Sequence, residues 1–343
     1  PWPDARPSDW HPDWVPPAMH ATRRRPERDT YDGLVALVAE EKLGRPLLPW
    51  QRYVVDVAWE IDPITGLFAY DVVGATVPRQ SGKTSGLLFS VLVARCTAMA
   101  DVLGQRQMVV YTAQDGGSPQ RKMENEFLEI LAAAPGYQIN QDYTARVGNN
   151  TPRIFFTKTR SQLRPSPTES SSGHGDVLDM PALDEIFEHK TMDVDQGFTP
   201  PMVTRAMAQK WMVSTAGKRS SVYLKAKREA GRAAVAADTG YGMCWFEWAA
   251  DPEWDLTDRR LWWLWMPALG HTQTEAKVAS QLADLGPREF RRAFGNIDDD
   301  GYLRTPIADL AVDANVPVET AESALRQVQS FDPAGVGARD LQE

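Results

Sequence analysis

The sequence predicts an α/β fold: a mostly parallel sheet flanked by helices and built around a phosphate loop of the NTPase kind, followed by a linker region and a small helical C-terminal segment. Three observations predict it. Strand-like runs alternate with helical runs from about residue 70 to 215. The first strand feeds a Gly82-Lys83-Thr84 triplet that opens a helix. A later apolar run ends on paired acids, Asp184-Glu185.

Composition bounds the reading. The 343 residues leave room for two domains or one large domain with appendages. With 43% apolar and 24% charged residues the chain matches ordinary globular proteins, which excludes wholesale disorder. The apolar stretches at 86–94 and 261–269 fall short of the roughly 18 residues a bilayer span needs, so no membrane association is expected. The first residues lack the basic patch and apolar core of a secretory signal, so the expected location is the cytoplasm. Cys96 and Cys244 are too few for a disulfide scaffold or a four-ligand zinc site. A net charge of -9 excludes coating nucleic acid by bulk charge and leaves only a local basic groove.

Taken in order, residues 1–30 hold seven prolines and an Arg23-Arg24-Arg25 run, the composition of an extended arm with a solvated charge cluster. Helical spacing at Leu34, Val35, Leu37 and Val38, and again at Tyr53, Val54 and Val57, gives two helices broken at Pro46 and Pro49. Residues 70–77 read as a strand and 85–99 as a helix. Residues 107–112 read as a buried strand, and 121–134 as a helix closed by Pro135-Gly136. Further strands are expected at 154–157, 176–183 and 210–215. The division that follows is an arm at 1–30, a nucleotide-handling domain at 31–240, a Trp-rich linker region at 241–294 and a small helical segment at 295–343.

Arg79, Gln80, Ser81, Gly82, Lys83 and Thr84 have the chemistry of a phosphate loop. Backbone N–H groups wrap the phosphate, Lys83 neutralises its charge and the Thr84 hydroxyl holds Mg2+. The helix that starts there directs its positive end at the anion. Val77 stands where the usual pattern has its first glycine. An apolar strand carrying Asp184 and Glu185 to the sheet's carboxyl edge would support the metal through Asp184 and activate water through Glu185. The alternative is that both acids cap a helix from Ile186 onward. Ser214 and Thr215 follow another apolar strand and could sense a γ-phosphate, although such pairs are usually turn chemistry. Gln51, after Pro49-Trp50, precedes the loop at a distance suited to reading adenine.

These segments, together with Tyr111-Thr112-Ala113-Gln114 and Ser172-Gly173-His174-Gly175, resemble the ordered motifs of the large terminase subunit of tailed bacteriophages over about residues 30–295. The resemblance implies an additional-strand ATPase that uses ATP and Mg2+ to push double-stranded DNA into an empty capsid. It implies a portal protein and a small terminase subunit as partners, a homo-oligomeric ring during packaging, and the host cytoplasm as location. It also removes the difficulty at Val77, since that family commonly lacks the glycine and carries an arginine in the loop, here Arg79. Position by position, the resemblance implies that Lys83 and Thr84 would bind phosphate and Mg2+, Asp184 would support the metal, Glu185 would be the base, Thr215 and its neighbours would couple, and Gln51 would contact adenine. Arg79 could act in cis on the transferring phosphoryl group, with Arg121, Arg146, Arg153 and Arg160 as candidates in trans.

The family's nuclease is not expected from this chain, because no strand with a first catalytic Asp follows the linker. Six of the twelve tryptophans lie between Trp245 and Trp265, a packing cluster rather than a base-stacking platform. From Gly295 the sequence is similar to the core-binding region of the enhancer-dependent sigma factor, through Asp298-Asp299-Asp300-Gly301, residues 321–328 and Phe331-Asp332-Pro333-Ala334-Gly335. Two rival functions follow: a helicase-like nucleic-acid translocase on the same loop, or a polymerase-binding transcription module through the last segment.

Overall fold

The computed structural model describes residues 11–113, 118–148, 152–166, 177–298 and 307–329. Gln114, the Ser172-Gly173-His174-Gly175 motif, Asp299-Asp300-Gly301 and residues 331–341 lie outside the described residues.

The sheet has nine strands: β1 (His20–Ala21), β2 (Tyr70–Thr76), β3 (Met108–Ala113), β4 (Tyr143–Arg146), β5 (Arg153–Phe156), β6 (Gln162–Pro165), β7 (Met180–Asp184), β8 (Lys210–Ser214) and β9 (Gly242–Glu247). Their order is β1-β9-β2-β8-β7-β3-β6-β5-β4. The six strands from β9 to β6 run parallel, and antiparallel pairings close both margins. Every residue of β7 and β8 is buried, as expected of parallel strands covered on both faces. β8 lies between β2 and β7, the additional strand that the resemblance implied.

The helix Lys83–Leu103 fills one face. Its apolar run extends beyond 86–94, and by length and composition alone it could cross a membrane, but 67% of its most apolar window is buried inside the protein. Leu87, Leu88, Phe89, Val91 and Leu92 pack with Val73, Val109 and Tyr111 in the main core, which accounts for its composition.

Two parts of the structure differ from the sequence division. β9, expected in the linker, is a sheet strand paired with β2 from Tyr70↔Gly242 to Thr76↔Glu247, so a boundary at 240 cuts the sheet. The expected extended arm is bound along its described part: β1 pairs with β9, Arg24 bonds Asp56 at 2.7 Å, Arg25 bonds Asp238 at 2.9 Å, and Arg28 reaches Glu60 and the Gly240 carbonyl. Two members of the arginine run are therefore latches rather than a solvated cluster.

Trp245 and Trp248 complete the sheet's packing, and Trp262, Trp263 and Trp265 form a second core with Leu256, Phe290 and Phe294. The tryptophan cluster is interior. Helix Glu275–Ala293 breaks at Gly286-Pro287, where Gly286 has φ +73 and ψ 168. Helices Ile307–Asp313 and Val318–Gln329 pack against each other beyond it.

Candidate functional site

Strand register brings the expected residues together. Thr76 lies opposite Ser214, Val213 opposite Asp184, and Asp184 opposite Ala113, so four parallel strands end at one level. The loop 77–82 begins on that edge. Val77 extends the β2 ladder, donating its N–H to the Ser214 carbonyl at 3.1 Å, and a ladder position makes no demand for glycine. Gln80 and Gly82 then take left-handed φ of +62 and +80, which turns the loop into the helix at Lys83. Gly82 is required twice over. Its φ suits glycine, and a Cβ there would sit 2.9 Å from the Gln51 amide nitrogen. The first-turn N–H groups of the helix have no acceptor within it and point at this edge.

Lys83 and Thr84 each meet one of the acids. Lys83 Nζ donates to Glu185 Oε1 at 2.8 Å, and Thr84 Oγ1 donates to Asp184 Oδ2 at 2.7 Å. Asp184 Oδ1 accepts from the Glu185 N–H at 2.9 Å, and Tyr111 OH donates to Asp184 Oδ2 at 3.0 Å. Glu185 has left-handed φ 56 and ψ 42, which costs a non-glycine residue about 1–2 kcal/mol. Neither acid caps the short turn Ile186–Glu188 through its side chain, so the capping alternative is set aside.

The charges are interdependent. Burial raises the Asp184 carboxyl above its ordinary range, only partly offset by Lys83 and by the Thr84 and Tyr111 hydroxyls, and Glu185 adds to the rise. Burial alone would lower Lys83, but Asp184 and Glu185 outweigh it and hold the ammonium above its usual value. Burial pushes the Tyr111 phenol well up, so it remains a donor.

The other candidates fall into place around this centre. Ser214 Oγ accepts from the Phe187 N–H at 3.2 Å, tying its strand end to the turn that carries Glu185. Ser81 Oγ and Thr215 Oγ1 are buried without a partner among the described residues, hydroxyls suited to an oxygen-rich ligand. Gln51 is buried, takes the Leu48 N–H at its oxygen, and donates from its nitrogen to the Gly82 carbonyl at 2.9 Å. Its amide therefore braces the loop. The Arg79 side chain is exposed; its N–H donates to the Ala293 carbonyl at 2.8 Å, and its carbonyl accepts from Gln273 at 2.9 Å.

Sequence reasoning missed four contributors. Tyr111 belongs to the Tyr111-Thr112-Ala113-Gln114 segment and had no role assigned, although a tyrosine inside a buried strand is a signal in itself, since its hydroxyl needs a partner. Gln273 and Ala293 brace the loop from about 200 residues away in sequence, with no local signature. Asp298, named above only within the sigma-like stretch, accepts from the Gly217 N–H at 2.7 Å and pairs with Arg228 at 2.5 Å, which anchors the end of the Ser214-Thr215-Ala216-Gly217 segment.

Among solved structures, the HK97 bacteriophage large terminase superposes with a TM-score of 0.65 at 19% identity, over 79% of this chain and 56% of that one. At that identity the likeness is one of fold. Residues 277–343 match the sigma-54 factor core binding domain. The RNA polymerase sigma-54 factor of Bacillus subtilis (strain 168) is 41% identical over 62 residues, 18% of this chain and 14% of that protein. That of Escherichia coli (strain K12) is 36% identical over 75 residues, 21% and 13% respectively. The chain thus spans little more than half the length of the terminase and under a fifth of each sigma factor.

Proposed function

We propose that this chain is an ATP-hydrolysing motor of the phage large-terminase type, which moves double-stranded DNA into an empty capsid. The observation that carries the reading is the meeting of Lys83 with Glu185 and of Thr84 with Asp184 at one sheet edge, across roughly a hundred residues of sequence. What favours packaging over other ATP-driven work is the fold likeness to the HK97 large terminase.

The chain's residues divide the work as follows. Backbone N–H groups of residues 80–84 and the helix start receive the phosphates. Lys83 exchanges the Glu185 carboxylate for β- and γ-phosphate oxygens. That exchange frees Glu185 to accept the proton of an attacking water. The donor set fits Mg2+: the Thr84 proton is committed to Asp184, which leaves the hydroxyl's lone pairs for a cation. Bound there, Mg2+ would neutralise charge on the phosphate oxygens. Ser214 and Thr215 read the γ-phosphate, and Ser214 reports to the Glu185 turn through Phe187 N–H. Gln51 keeps one amide hydrogen for adenine while bracing Gly82, and Arg79, exposed on the loop, would act on the transferring group. A portal protein, a small terminase subunit and further copies of the chain in a ring complete the machine in the host cytoplasm.

Phosphate release from Mg-ATP, measured alone, with double-stranded DNA and with portal-bearing empty capsids, tests this. The expected result is Mg2+-dependent turnover that rises with DNA; absence of turnover under all three conditions overturns it. A second reading has one observation of its own, the match of residues 277–343 to the sigma-54 core binding domain. It holds that this segment contacts RNA polymerase core. Pull-down by polymerase core should be lost when the chain is cut after Asp298, a point chosen because Asn296 and Asp298 still bond the body; equal capture of both forms would defeat it.

A further inference from the structure

We infer that Tyr111 is a positioning residue that fixes the Asp184 carboxylate for the divalent cation accompanying the nucleotide; the inference rests on the nucleotide reading above. Asp184 is 1% exposed, and three of its roughly four lone-pair directions are taken, by Thr84 and Tyr111 at Oδ2 and by Glu185 N–H at Oδ1. The three donors are not equivalent. Thr84 belongs to the helix start that receives phosphate and Glu185 to the turn that must release Lys83, so both donors sit on segments that respond to ligand. Tyr111 comes from the interior of β3.

The register makes the contact specific. Tyr111 lies opposite Ala182 and Ala113 opposite Asp184, so residues 111 and 113 and residues 182 and 184 share one face, and the long phenol reaches forward by one pleat to the carboxylate. The ring is held there. It is 1% exposed and edge-on to Phe127 at 4.9 Å, and Phe127 stacks on Phe89 at 4.4 Å. A phenol so fixed prevents the carboxylate from rotating about its Cβ–Cγ bond. Oδ2 then stays aimed at the Thr84 hydroxyl, which keeps the threonine lone pairs turned toward a cation. A buried tyrosine that merely satisfies its own hydroxyl would show the same contact, but only the positioning role ties it to metal.

The test compares wild type with Tyr111→Phe, which keeps the ring and deletes the hydroxyl. Binding of fluorescent ADP is followed in excess EDTA and across a Mg2+ titration, with a thermal melt of each protein. Loss of an outer partner of a metal site typically weakens metal affinity about 10–100-fold. The expected result is unchanged EDTA affinity and a Mg2+ half-saturation raised about tenfold. Unchanged Mg2+ half-saturation, or equal loss with and without metal, overturns the positioning role. Should Tyr111→Phe melt too low to measure, Phe127→Leu loosens the ring with the hydroxyl intact; it should raise the Mg2+ half-saturation about twofold to threefold, and no change counts against the inference. Wild type that binds no nucleotide at any Mg2+ concentration overturns the nucleotide reading itself, an outcome distinct from a responsive wild type matched by its variant.

Discussion

Replacing Glu185 by glutamine should do two opposite things: tighten nucleotide binding and stop hydrolysis. Glu185 holds Lys83 at 2.8 Å, and that bond must open before Lys83 reaches a phosphate. The side chains are 13% and 28% exposed, so the pair lies between surface ion pairs, worth about 0.2–1 kcal/mol, and buried ones, whose breakage costs about 3–5 kcal/mol. Discounting for the exposed share leaves about 1 kcal/mol. Glu185→Gln removes most of that competition, because a neutral amide oxygen holds an ammonium less strongly. One kcal/mol is about fivefold, so Kd for Mg-ATP should fall by about that factor. Hydrolysis should drop by about 10²–10⁴, since an amide cannot take a proton from water. Calorimetry with a non-hydrolysable analogue measures the first effect, and phosphate release from ATP the second. Weaker binding would falsify the picture of Lys83 shuttling between carboxylate and phosphate. Near-normal turnover would place the base elsewhere.

Lys83→Ala should abolish Mg-ATP binding in the same calorimetry, because it removes the charge facing the phosphates; wild-type affinity would exclude the loop as the site. Gly231→Ala should destabilise the sheet, since its Cβ would lie 2.3 Å from the fully buried Trp245 ring, which also presses on Gly74. Overpacking costs about 1–3 kcal/mol, with a clash this deep at the upper end, and because Gly231 lies within the helix Val222–Ala237, alanine's better helix propensity returns about 1 kcal/mol. The net of about 2 kcal/mol corresponds to a fall of about 3 °C in Tm, and an unchanged melt would show that the ring has room to move. Stability should also fall in acid through Glu247. Burial would raise this carboxyl, but the hydrogen bonds of Arg232 and the charge of Arg228 hold it below its ordinary 4.5. A depressed folded value means stability present above pH 4.5 and lost as pH falls through the lowered value. Melting curves on the acid side of that pH should steepen for wild type relative to Glu247→Gln, and identical slopes would refute the assignment.

Much of this molecule was legible from the chain alone. The apolar runs that became β2, β3, β7 and β8 announce themselves by length and flanking turns. Gly82-Lys83-Thr84 and Asp184-Glu185 are recognisable because each is a short run of distinctive side chains directly after an apolar strand. Such features are local: each is written in a stretch short enough to be read without its neighbours. What folding alone decided is which distant pieces meet. β9 joins β2, the arginine arm latches onto Glu60, Gln273 and Ala293 brace Arg79, and Trp245 fits the gap between Gly74 and Gly231. None of these contacts leaves a periodic or compositional mark, because each arises from strand register and close packing between segments tens to hundreds of residues apart. Tyr111 illustrates the division. Its place in a buried strand follows from sequence, whereas its hold on Asp184 exists only because two parallel strands align residue 113 with residue 184.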